Sequence, residues 1–213
     1  MAFKEEHASF AIGHMALAYL LSKASAKLLK VNMNVPLILV LSVLPDIDII
    51  FNFIFNIEIH RGPTHSVISA ILVFIPFFLL YRQKSLPYFT ALVSHSLIAD
   101  FFIGGQLMLL WPLSRSEFGF TFVAIDSSVN IALEFTLFVI AAFVMWKTRD
   151  LFQFLRDRKL NLILAIPLFT VLLPTFISYP LSVPLMLVLP HLFYLVLFAI
   201  SVLIVFKGLL VHS

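Results

Sequence analysis

Imidazole and carboxylate side chains stand where an otherwise apolar sequence has little reason to carry them. His14, Asp46, Asp48, His60, His65, His95, Asp100 and Glu134 all lie in or beside strongly hydrophobic segments. Ionisable groups in such surroundings are costly, and by default they mark function. The chain has no cysteine, so it has neither a disulfide framework nor a thiolate site. Histidine, carboxylate and water remain as ligands. The chemistry to expect is the binding of a metal ion.

Local spacing refines this. In Leu44-Pro45-Asp46-Ile47-Asp48 the two acids lie two residues apart and would point nearly opposite ways on a regular helix. Pro45 removes an amide donor and crowds the preceding turn, so a break there lets both carboxylates face one ion. The plainer alternative is a helix end with solvated acids. In His60-Arg61-Gly62-Pro63-Thr64-His65-Ser66, two histidines flank a Gly-Pro turn that opens a helix, with Thr64 or Ser66 as its cap. A new helix N-terminus beside Arg61 also suits a phosphate group, so Arg61, Thr64 and Ser66 are candidate substrate-binding residues. A solvated loop with incidental histidines is the alternative.

Four residues separate His95 from Asp100, and at about 100° per residue a regular helix swings them about 140° apart. They share a site only through a π-bulge or a local unwinding; otherwise Asp100 lies behind the ligands or caps the helix near Gly104-Gly105. His14 alone carries little weight. Glu134 carries more, because an isolated buried carboxylate needs a cation. His7, His191 and His212 read as structural or solvated.

The elements that must position these groups are membrane helices. Hydrophobic residues make up 62% of the 213, charged residues 12%, and there are 24 phenylalanines. Soluble domains run at about 45–50% apolar and about 25% charged. The net charge of +3 gives no reason to expect a nucleic-acid partner. A spanning helix needs about 20 largely apolar residues. Seven segments qualify: Ala8–Leu29, Val35–Asn56, Thr64–Tyr81, Pro87–Gly104, Ser128–Trp146, Leu160–Tyr179 and Val183–Phe206. The first is the weakest, because Lys23, Lys27 and Lys30 must snorkel. No signal peptide precedes it, so it is expected to stay in the mature protein. Leu107–Pro112 reads as a re-entrant or interfacial piece, with Trp111 at headgroup level.

Eleven of the fourteen Lys and Arg residues fall on one side of these segments and three on the other. The positive-inside rule makes the eleven cytoplasmic, with the N-terminus outside and the C-terminus inside. The His and acid residues then share one depth, toward the outer leaflet. The expected architecture is an all-α bundle of about seven spans in the plasma or inner membrane. Residues 1–146 form the site-bearing core of five spans, 147–159 a basic cytoplasmic loop, and 160–213 two further spans and a tail.

Gly13-His14, Leu44-Pro45-Asp46-Ile47-Asp48, His60-Arg61-Gly62-Pro63-Thr64-His65-Ser66, Ser94-His95 with Ala99-Asp100, and Leu110-Trp111-Pro112 follow one another in a recognisable order. This order, over about residues 7–140, resembles the membrane-bound metal-dependent hydrolases of the YdjM-like type, also described as LexA-binding inner-membrane hydrolases. More remotely it is similar to zinc-dependent phospholipase C and related nucleases. The resemblance implies a divalent ion, zinc above all. It implies ligands at His14, Asp46, Asp48, His60, His65, His95, Asp100 and Glu134. The His95–Asp100 gap is one residue longer than the phospholipase pattern, and Asn130 stands where that pattern has a histidine, so the number of ions is left open.

The expected function is hydrolysis of a phosphoester or lipid-like substrate at the outer leaflet, with Asp48 or Asp100 as general base and Arg61 holding the anionic group. Membrane lipid and a small-molecule or lipid substrate are the expected partners. An ion or metal transporter is the first alternative. The second is a non-catalytic, metal-stabilised module that binds a regulator through Lys147–Lys159.

Overall fold

The computed structural model describes residues 10–48, 61–177 and 183–211. These residues are helical, apart from turns, loops and one isolated bridge between Leu107 and Phe118. Helix α1 spans Ala11–Leu29 and stops at Lys30, whose left-handed φ of 54° ends the run. Helix α2 spans Val35–Ser42; Asn34 caps it by accepting from the Leu37 amide, and Pro36 sits in the first turn, where no donor is missed. Helix α3 spans Val67–Tyr81 and is capped by Ser66. Helix α4 spans Leu86–Ser94 and continues through a π turn at His95–Asp100. Phe74 and Phe89 stack at 4.5 Å, so α3 and α4 fold back on each other as a hairpin about Arg82–Ser85. Helix α5 spans Ser128–Lys147 behind a Ser127 cap. The helical run α6 covers Lys159–Ile177, and α7 covers Leu185–Val211.

Four helical runs are long and apolar enough to cross a membrane: Val67–Asp100, Ser128–Lys147, Lys159–Ile177 and Leu185–Val211. Seven separate segments are therefore not what the described helices give by length and composition. The expected third and fourth segments form one run of helix, bent at the hairpin. The expected first segment is a helix that carries Lys23 and Lys27. The expected second is helical for eight residues before it breaks at Val43.

Helix α1 is the centre of the bundle. Its Ile12, Met15, Ala16 and Tyr19 are fully buried among α2, α5, α6 and α7, and Ala18 is buried against Ile38 of α2 and Ala91 of α4. Small residues on α1 let neighbouring backbones approach, as membrane helix contacts require. By contrast α3 has no buried residue, and Leu72, Val73, Phe77 and Leu79 point outward. That distribution is expected where the solvent is lipid.

The bundle has two chemically different ends. His14, Asp46, His65, Asp100 and Glu134 lie at one end of α1, α2, α3, α4 and α5. At the other end Asp150 collects Lys23 Nζ at 2.6 Å, Thr148 Oγ1 at 2.7 Å and Tyr19 Oη at 2.8 Å. Gln153 extends this hub, donating to Asp150 and accepting from the Val35 amide at the start of α2. The hub thus ties α1, α2 and the end of α5 together and fixes where α1 sits.

Burial pushes the Asp150 carboxyl up, but hydrogen bonds from Lys23, Thr148 and Tyr19 outweigh it and hold the group below the ordinary carboxylate range. With a depressed folded value, the stabilisation is present above the unfolded pKa of about 4 and is lost as pH falls through the folded one. Asp150→Asn is therefore expected to lower the melting temperature of the detergent-solubilised protein at pH 7. The gap to the parent should close as the pH is taken below about 4. A gap that persists unchanged at acid pH would contradict the assignment.

Candidate metal centre

Three local departures from regular helix build the site. The first two each begin at a proline visible in the sequence. The first is the end of α2. Pro45 opens a 3-10 turn at Pro45–Ile47, which buries Asp46 and is followed directly by the buried Asp48. The second is the 3-10 turn Pro63–His65, which presents His65 before Ser66 starts α3. The chain around this turn is tied to the loop after α4: Met108 N donates to Arg61 O, and Val67 N donates to Leu109 O. Ser66 Oγ adds a bond to Leu109 O. The third is the π turn His95–Asp100. Its i→i+5 bonding brings residues five apart onto one face. His95 and Asp100, about 140° apart on a regular helix, are thereby superposed.

These turns bring Asp46, His65, His95 and Asp100 together, all buried, with one ligand atom from each lying within 4.8 Å of the others. Their separations are informative. His65 Nε2 to His95 Nε2 is 3.2 Å. Asp46 Oδ1 lies 3.4 Å from His65 Nε2 and 3.3 Å from His95 Nε2. Asp100 Oδ2 lies 3.3 Å from His65 Nε2 and 3.2 Å from His95 Nε2. Ligands at about 2.0–2.1 Å from a tetrahedral ion are about 3.3 Å from one another. Five of the six edges match that figure. The carboxylate-to-carboxylate edge is the remaining one, bounded by the 4.8 Å span. Among the described residues this is a distorted tetrahedron of two imidazoles and two carboxylates, and it fits a divalent ion.

The outer hydrogen bonds select the right tautomers. His95 Nδ1 is 2.7 Å from the Ser42 carbonyl oxygen, so Nδ1 donates and Nε2 turns its lone pair inward. Thr64 Oγ1 donates to Asp48, and both lie against His65 Nδ1, at 3.1 and 3.4 Å. The result at His65 is the same: Nδ1 donates outward and Nε2 faces the centre. Asp48 is thus a positioning carboxylate behind His65 and lies outside the four-ligand group. Such partners fix ring orientation and raise ligand basicity.

His14 and Glu134 form an adjoining layer. His14 Nδ1 lies 3.3 Å from the Phe10 carbonyl, and Nε2 lies 3.1 Å from Asp100 Oδ1. Asp100 therefore serves the tetrahedron with one oxygen and meets His14 with the other. Glu134 accepts from the Gly13 amide at 3.3 Å and from Asn130 Nδ2 at 3.3 Å. A Cβ on Gly13 would come within 2.6 Å of Glu134 Cγ, so this glycine is what admits the carboxylate beside His14.

Arg61, at a φ of 61°, turns its guanidinium onto the Gly104 carbonyl. It lines a polar cavity of about 550 Å³ with Gln106, Glu117, Thr121 and Asp126. The Thr64 hydroxyl is committed to Asp48, and the Ser66 hydroxyl donates to the carbonyls of Trp111 and Leu109. His60, like His7 and His212, lies outside the described residues. His191 donates Nδ1 to Leu187 O within its own helix, as a packing histidine does. Sequence reasoning missed the Ser42 carbonyl that orients His95. It had no signal to offer, because the contact is made by backbone and any residue type supplies it.

A family model described as YdjM inner membrane protein matches residues 1–209. No curated protein and no solved structure matches the chain.

Removing the oriented partner should weaken the ion without abolishing the site. Asp48→Asn is expected to lower divalent-metal affinity about 10–100-fold, the usual cost of losing such a contact. His65→Ala should abolish stoichiometric binding. Titration calorimetry on purified protein checks both, and equal affinity in parent and Asp48→Asn would refute the positioning role.

Proposed function

This chain belongs to the YdjM inner membrane protein family, and from that premise we propose that it is a membrane-embedded metal-dependent hydrolase of a phosphoester, with zinc in the Asp46–His65–His95–Asp100 tetrahedron. The observation that carries the reading is the near-tetrahedral set of 3.2–3.4 Å edges, with both histidines presenting Nε2. Two nitrogens and two oxygens suit zinc by donor type and geometry.

When bound, the ion supplies Lewis acidity, which polarises an ester oxygen and lowers the pKa of water beside it. The chain's own residues do the rest. Asp48 and the Ser42 carbonyl keep His65 and His95 aimed. Two groups stand ready for proton traffic: the His14–Asp100 pair, joined through Nε2 and Oδ1, and Glu134 on the wall of the same cavity as His14. Arg61 lies near the start of the turn that presents His65, and its remaining N–H donors suit an anionic oxygen.

The basic ends of the helices lie opposite this centre, at the Lys23–Asp150 end. With those ends cytoplasmic, the hydrolytic site serves the extracytoplasmic leaflet, and the seven-fold traverse expected from hydropathy gives the N-terminus outside. A transport role fits less well. Between His14 and Tyr19 the buried face of α1 carries Met15, Ala16 and Ala18, which offer an ion nothing.

Purified protein loaded with zinc is expected to hydrolyse at least one member of a phosphomonoester and phosphodiester panel. Chelation should stop it and zinc should restore it. His65→Ala or Asp46→Ala should cost about 10³-fold or more in kcat, and Arg61→Ala about 10²-fold. Hydrolysis that survives the two ligand substitutions would refute the assignment.

A further inference from the structure

An apolar cleft lies between the His14–Glu134 layer beside the polar centre and the outward face of α5. Its inner compartment, about 290 Å³, lies between α1, the π turn and α5. His14 and Glu134, both buried, stand at its inner end, and its surface is almost wholly apolar, with Leu17, Ile98, Phe102 and Leu137 among its walls. A second compartment of about 360 Å³ lies beyond it, lined by Phe120, Phe122 and Val129 among others. Phe102, Ile103 and Leu133 line both, so the two form one cleft divided by shared side chains. Phe102, Phe120 and Phe122 stack along the outer compartment, at 5.3 and 5.9 Å between successive rings.

The outer rim is exposed. Leu133 is 46% and Val129 66% accessible, and both lie on α5, a membrane-spanning run. A rim this apolar and exposed, on a run long and apolar enough to cross a membrane, is suited to meet hydrocarbon. The π turn that gathers His95 and Asp100 also leaves Leu97 and Ile98 facing outward, so one backbone irregularity builds both the ligand pair and the cleft wall. At the inner end His14 contacts Asp100, itself a member of the tetrahedron. An amphipathic molecule whose chain lies in the cleft therefore has its polar end beside His14, one contact away from the tetrahedron. Ligand pockets of this kind are typically apolar with a few convergent polar groups.

We propose that this cleft seats one hydrocarbon chain of a membrane lipid, entering sideways from the bilayer, so that the substrate of the metal centre is a lipid bearing a phosphoester headgroup. The assignment of the headgroup reaction rests on the hydrolase reading; the seating of the chain does not.

The test uses the full-length protein in nanodiscs of phosphatidylethanolamine and phosphatidylglycerol, with a trace of phospholipid carrying a diazirine on its acyl chain. Photolabel should concentrate on the segments holding Phe102 and Leu133. In Leu133→Trp, and independently in Val129→Trp, labelling should fall about tenfold, while zinc content stays at the parent level as proof of folding. That factor corresponds to about 1.4 kcal/mol of lost chain binding. Label spread evenly over outward residues such as Val139, Phe143 and Ile200, and unchanged in both variants, would overturn the proposal. Focused labelling without hydrolysis of any phosphoester would retain the chain seat and remove the hydrolase. Hydrolysis of a water-soluble phosphodiester at equal rates in parent and Leu133→Trp, without focused labelling, would do the reverse.

Discussion

Two carboxylates and two imidazole nitrogens meet inside a membrane protein with their acceptor atoms facing one another. A cation seated among the four ligand atoms would neutralise the two carboxylates. The Asp46 and Asp100 oxygens, within 4.8 Å, repel by about 3 kcal/mol or more even at an effective dielectric of about 20. A domain's whole net stability is about 5–15 kcal/mol. The surrounding structure is therefore organised to hold acceptors together rather than to keep them apart. The Nδ1 contacts of His65 and His95 fit that arrangement, since each leaves Nε2 facing the centre.

The bundle meets this constraint by breaking helices where ligands are needed and keeping them intact elsewhere. Pro45, the Gly62-Pro63 turn and the π turn at His95–Asp100 each change the direction of a few side chains. The far ends of α1, α2 and α5 are pinned at Asp150. Between break and pin, α1 supplies a nearly featureless buried rod whose small residues permit close packing. Rigidity at the hub and irregularity at the centre are complementary: local distortion is affordable only where the rest of the helix is held.

Much of the centre could be read from residue types and spacing. The His95–Asp100 gap required a helix irregularity, and the π turn is that irregularity. The order of the motifs pointed to the family. Pro45 announced the break beside Asp46. Less legible was the division of labour between Asp46 and Asp48, because spacing alone does not say which carboxylate meets the ion and which meets His65 Nδ1. The commitment of Thr64 and Ser66 to protein partners was equally hidden, since both suit a phosphate site in sequence. Hydropathy placed two of its segments on the arms that meet at Arg82–Ser85, where the structure has one helical run folded back as a hairpin. Gly13 gave no clue to its role until Glu134 was seen against it. That contact joins residues 121 apart in sequence.

The central claim is that this tetrahedron holds a divalent ion. X-ray absorption at the zinc edge of the purified, detergent-solubilised protein tests it most directly. The account predicts one tightly held ion at the tetrahedron with a nitrogen and oxygen shell at about 2.0–2.1 Å, including two imidazoles and no sulfur. The imidazole signature should disappear in a variant carrying both His65→Ala and His95→Ala. A parent protein that retains its fold but takes up no stoichiometric divalent metal, or whose ion lacks imidazole ligands, would contradict it.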